Sequence, residues 1–213
     1  MNKFVVNYQL RYISPKQLTI LFFLFLILII SVILSIKYGA LKINILEIIT
    51  DNKTTLNEVV FLEVRLPRVF LSCFVGASLG LSGASLQGLF RNPLADPGLI
   101  GVSAGAALGA TFSIVIGSSF VLDSYFGKYL IPISAVIGSI SIIMLLYLST
   151  KGFSQQGISY MLLIGIAVNA FASVGIAVLT FISSDLELRN LSFWLMGSFD
   201  GSEWITILPG IMI

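Results

Sequence analysis

The chain has 213 residues, is 57% hydrophobic and only 10% charged, and balances twelve basic against ten acidic side chains for a formal net charge of +2. Soluble domains carry about 25% charged residues, so this chain cannot cover a water-facing surface, and a mean hydropathy of +1.01 makes lipid its natural solvent. Near-balanced charge points to no nucleic-acid partner, the absence of histidine removes the commonest metal ligand and general base, and the lone Cys73 supplies neither an internal disulfide nor a multi-cysteine metal site.

The sequence therefore predicts an all-α, polytopic membrane protein with no catalytic residue, no metal site and no cofactor of its own. A helix needs about 20 apolar residues to cross a bilayer. Uncharged stretches of that length occupy residues 18–36, 69–89, 99–122, 130–148 and 160–182. The first follows Lys3, Arg11 and Lys16. It is longer than the roughly 7–15 apolar residues of a signal peptide and lacks a small-x-small cleavage site, so it reads as a retained anchor.

The connection over residues 37–68 is the longest polar one. Asn44-Ile-Leu-Glu47 and Thr55-Leu-Asn-Glu58 each place a capping side chain three residues before an acid, which predicts one or two short helices at the membrane surface. The connection ends in Arg65-Leu-Pro-Arg68. Pro67 suits the first turn of the second span, but the positive end of a helix disfavours Arg65 and Arg68 beside it. Two uses fit them: pairing with acids on a docking partner, or snorkelling to lipid phosphates.

Within the second span Ser78, Ser82 and Ser85 share one helical face, Gln87 follows, and Gly76 and Gly80 repeat at four-residue spacing. Arg91-Asn-Pro-Leu-Ala-Asp-Pro-Gly98 then makes a rigid turn. Pro93 and Pro97 drive Asn92 and Asp96 toward extended backbone, Arg91 complements the negative helix end, and Asp96 caps the next helix with Pro97 at its first position. These roles leave Asn92 and Leu94 without a structural reason.

In the third span Gly101, Gly105 and Gly109, with Ala106 and Ala110 beside them, form a stripe for close helix packing. Asn169 lies midway along the fifth. It and the polar residues of the second span either bond neighbouring helices or line a polar pathway. None of the spans holds an Asp, Glu, Lys, Arg or His, whereas ion-coupled transporters usually place such groups inside the membrane. Residues 185–203 form a second surface segment, with an apolar centre over 191–196. A sixth apolar stretch begins after Trp204 and is still running at Ile213. Residues 1–213 thus read as one transmembrane domain holding five spans and the start of a sixth. The chain is expected to be a partial or split protein that does not transport alone.

The order Arg65-Leu-Pro-Arg68, the Gly- and Ser-rich span with Gln87, Asn92-Pro-Leu-Ala-Asp-Pro-Gly98, Gly101-Val-Ser-Ala-Gly105 and Trp194-Leu-Met-Gly197 resembles the permease subunits of iron–siderophore, haem and cobalamin ABC importers. The likeness runs from about Arg65 to Trp204, and the stretch from Leu89 to Ala107 is most similar to haem permeases. The resemblance implies a subunit of about ten membrane-spanning helices. A second copy would pair with it around a central pore. The other expected partners are cytoplasmic ATPase subunits that use ATP and an external substrate-binding protein. It places Arg65 and Arg68 at the external rim, pairing with glutamates of that protein. Asn92 and Leu94 would lie at a cytoplasmic gate, with a second constriction in the turn near Ser159, and Asn169 on a pore-lining helix. The twelve basic residues do not fix the orientation by themselves, since five fall on one side and seven on the other. The cytoplasmic N-terminus, and the location in the bacterial inner membrane, rest on the resemblance.

Two other classes fit the composition. An ion-coupled secondary transporter or channel would work without ATP. A membrane scaffold that only packs with partners would tolerate loss of Arg65 and Arg68.

Overall fold

The computed structural model describes residues 14–39, 41, 56–93, 95–117, 127–151, 157–205 and 207, and among them every regular element is a helix. Four of these helices are long and apolar enough to cross a membrane.

α1 spans Pro15–Lys37. It starts in a reciprocal cap: the Ser14 hydroxyl accepts from the Gln17 N–H at 3.3 Å, and the Gln17 side chain accepts from the Ser14 N–H at 2.9 Å. Its side chains, Phe22, Phe25 and Leu28 among them, are exposed all round, the pattern of a helix bathed in apolar solvent.

α2 runs unbroken over Leu56–Phe90, which corrects the expectation that the second span opens at Pro67. Pro67 sits inside the helix, so Arg65 and Arg68 are not at a positive helix end. A proline there removes a donor and crowds the preceding turn. The helix adapts by widening to π geometry over Val60–Arg65, with the Leu66 N–H reaching back to the Phe61 carbonyl. In that register the Leu62 carbonyl would look to residue 67, which has no N–H. The indole N–H of Trp204 donates to it instead, at 2.9 Å. Of the surface helices expected earlier, residues 44–47 and Thr55 lie outside the described residues.

The third span is also corrected. The expected Asp96 cap with Pro97 at the first position is present, but its α-helix does not follow directly. Asp96 caps a 3-10 turn over Pro97–Ile100, accepting from the Gly98 N–H at 2.7 Å, and Gly101 breaks the backbone at φ 85. Only then does α3 run over Val102–Phe112, widening into a π turn at Ser113–Gly117. Residues 118–126 lie outside the description. α4 covers Gly127–Thr150 and α5 covers Gly157–Ile182. α6, Asp185–Met196, is capped by Ser184 and Glu187 and ends at Gly197.

The chain separates into two compact units, one of Met1–Phe74 with Phe199–Ile213, the other of Val75–Ser198. In the second unit glycine lets α3 and α4 touch backbone to backbone. A methyl group on Gly109 would fall onto the Ser134 carbonyl oxygen, and one on Gly138 onto that of Gly105. Ala110, Thr111, Ile114, Leu146 and Ala172 are buried in this unit, so small residues here replace hydrophobic bulk with close approach.

Candidate functional site

The two arginines of the first unit have different surroundings. Arg65 is 8% exposed. Its guanidinium donates to the carbonyls of Ile36 at 2.6 Å and Lys37 at 3.2 Å, and also to that of Leu41. It therefore closes the carboxyl end of α1, where carbonyls lack helical partners and a cation is favoured. Gly39 passes so close that a methyl group on it would lie 2.7 Å from Arg65 Nη2.

Arg68, one turn further on, is 44% exposed. Its Nε donates to the Phe199 carbonyl at 3.2 Å and its Nη2 to Asp200 Oδ1 at 2.8 Å. Trp204 holds this returning segment down through its bond to Leu62 and a ring contact with Phe70, centroids 5.9 Å apart. Arg68 thereby faces a cleft of about 560 Å³ lined also by Glu63, Asp200, Glu203 and Trp204.

In the second unit the turn after α2 is built from backbone bonds. The Asn92 N–H reaches the Gln87 carbonyl at 3.2 Å and the Arg91 N–H reaches that of Gly88 at 3.4 Å. This is a Schellman closure, which normally uses glycine. Arg91 takes the left-handed position at φ 50 in its place. The Gln87 side chain then donates to the Pro93 carbonyl at 3.2 Å. Further on, the Asn169 amide donates to the Gly98 carbonyl at 2.9 Å. One turn away on the same face, a methyl group on Gly165 would lie 2.9 Å from Ile100 Cα. Asn169 and Gly165 thus seat the 3-10 turn on α5.

The remaining expected residues fall as follows. Asn92 lies in the turn, with its N–H on Gln87 and its carbonyl accepting from the Ala95 N–H at 3.1 Å. Leu94 is outside the described residues. Ser159 is exposed inside the first turn of α5, not in the loop before it. Ser78, Ser82 and Ser85 are all exposed on α2, with Ser85 bonded to the Leu81 carbonyl at 2.7 Å. Gly105 and Gly109 face α4, whereas Gly101 faces Val168 and Gly165 of α5, so the three do not form one stripe. Among the described residues nothing lies within 4 Å of where a methyl group on Gly76 or Gly80 would sit.

Sequence reading alone missed Asp200, Trp204 and Gly165. Each acts through a partner more than sixty residues away or on another helix. The one local signal was glycine at 197 and 201, both at positive φ, which bends the chain around Asp200.

A family model described as the FecCD transport family matches residues 27–213. The hemin transport system permease protein of Yersinia pestis is 38% identical over 186 residues, covering 87% of this chain and 55% of that protein. The molybdate import system permease protein of Haemophilus influenzae is 36% identical over 198 residues, covering 89% and 56%. The iron(3+)-hydroxamate import system permease protein of Bacillus subtilis is 31% identical over 209 residues, covering 94% and 61%. A solved structure described as an inward-facing conformation of a metal-chelate type ABC transporter superposes with a TM-score of 0.71 at 34% identity, covering 89% of this chain and 56% of that one. The chain thus spans little more than half the length of these relatives.

Proposed function

Since the chain belongs to the FecCD transport family, we propose that it forms part of the membrane-spanning permease of an ATP-binding-cassette importer that carries haem or an iron chelate into the cytoplasm. The observation that carries this reading is the uncharged character of its spans. Residues 69–89, 99–122, 130–148 and 160–182 hold no Asp, Glu, Lys, Arg or His, so these stretches offer no charged site for ion coupling. Energy then enters through attached subunits.

On this reading a second permease copy completes the pore and cytoplasmic ATPases supply the work. The N-terminus is cytoplasmic, in the bacterial inner membrane. Arg68 meets an external substrate-binding protein, and Arg65 braces the ground it stands on. The turn around Asn92 and Leu94 serves as a cytoplasmic gate, with Ser159 at a second constriction. Ser78, Ser82, Ser85, Gln87 and Asn169 border the path, and Gly101, Gly105 and Gly109 pack helices. No cofactor is held by this chain.

Haem stands first because the stretch from Leu89 to Ala107 is most like haem permeases. Relatives named for hemin and molybdate differ by only two points of identity, so the substrate requires assay. The test is uptake into proteoliposomes holding the complete permease and its ATPase, with binding protein added outside. Haem, a ferric siderophore, cobalamin and molybdate are offered in turn. ATP-dependent uptake of haem or the siderophore is expected. Uptake of molybdate or cobalamin alone overturns the substrate, and uptake without ATP overturns the class.

A further inference from the structure

Arg68 already has a carboxylate. The pair it makes with Asp200 spans 2.8 Å, and the two side chains are 44% and 88% exposed. An ion pair so open to solvent is weak and easily opened. Asp200 is followed directly by Gly201 at φ 68. Glu63 and Glu203 line the same cleft, so two further carboxylates share it with the Arg68–Asp200 pair. An acidic partner arriving here meets Arg68 occupied and its neighbourhood negative.

We propose that Asp200 is an internal competitor for Arg68: it occupies the guanidinium in the free permease and is displaced when a carboxylate of the docking protein takes its place. This rests on the reading of the Arg68 face as the docking surface. Docking is then an exchange of one carboxylate for another, so Arg68 is never left uncompensated. Asp200 keeps Arg68 oriented while lowering the affinity for the incoming acid.

The test uses the complete permease with its ATPase in lipid nanodiscs and its substrate-binding protein. Affinity is measured for wild type, Asp200→Asn, Arg68→Ala and the double variant, with basal ATPase activity as the check on assembly. Asp200→Asn is expected to tighten docking about two- to fivefold at low salt, the range an exposed ion pair commands, and less at high salt. In the Arg68→Ala background the same change should do nothing. If Arg68→Ala weakens docking while Asp200→Asn leaves it unchanged or weaker, Asp200 only positions Arg68; the competitor role fails and the docking surface stands. Equal tightening with and without Arg68 means general repulsion and also overturns the proposal. If Arg68→Ala has no effect, the docking surface itself is wrong and both readings fall.

Discussion

The indole N–H of Trp204 bonds the carbonyl of Leu62 at 2.9 Å, at the place where Pro67 withholds the donor that a continuous helix would supply. A residue 142 positions away thus completes the hydrogen bonding of α2 and fixes the segment that carries Asp200. Trp204→Phe keeps the ring against Phe70 and removes only the donor. It should cost about 0.5–1.5 kcal/mol and lower the thermal midpoint of the purified protein. Pro67→Ala restores a backbone N–H, so the cost of Trp204→Phe should shrink in that background. Equal losses in both backgrounds would separate the two residues.

Arg65 and Arg68 share a motif but should respond differently to truncation. Arg65→Ala strips the carbonyls of Ile36, Lys37 and Leu41 of a buried partner and should destabilise by about 1–3 kcal/mol. Arg68→Ala removes an exposed pair and should cost no more than about 1 kcal/mol. Thermal unfolding of the two variants side by side measures the difference.

The helices were largely legible from apolar run length. The stretch at 18–36 became Pro15–Lys37, and that at 160–182 became Gly157–Ile182. The beginning of α2 was not, because Glu58, Glu63, Arg65 and Pro67 interrupt the apolar run while the backbone coils on through a π segment. Hydropathy records which residues face lipid, not where a helix starts. The third span was misread for another reason. Gly101 looks like one member of a four-residue stripe, yet its left-handed backbone ends one element and opens the next. In the candidate site Arg68 stood out from its motif. Its partner Asp200 did not, since no local pattern encodes a contact across 132 residues.

Glycines at the α3–α4 contact should tolerate no side chain. Gly138→Ala places a methyl group on the Gly105 carbonyl, where backbone cannot yield cheaply, and should cost about 1–3 kcal/mol. Gly76→Ala meets no described atom within 4 Å and should leave the stability of this chain unchanged or slightly raised, as alanine favours helix. Denaturant unfolding of the two variants in detergent separates them.

Arg91 holds a left-handed position that glycine fills without strain. Arg91→Gly should therefore stabilise the end of α2 by about 1 kcal/mol, read as slower hydrogen exchange at the Asn92 amide. Faster exchange there would mean that the arginine side chain itself holds the turn.

The proposed drive by attached subunits makes a direct demand on the energy source. The deciding measurement is substrate uptake by the complete permease, ATPase and binding protein in proteoliposomes whose ion gradients have been collapsed by ionophores. Uptake that persists with ATP inside and stops when ATP is withdrawn is the predicted result. Uptake that needs no ATP and vanishes with the ion gradient would contradict the account.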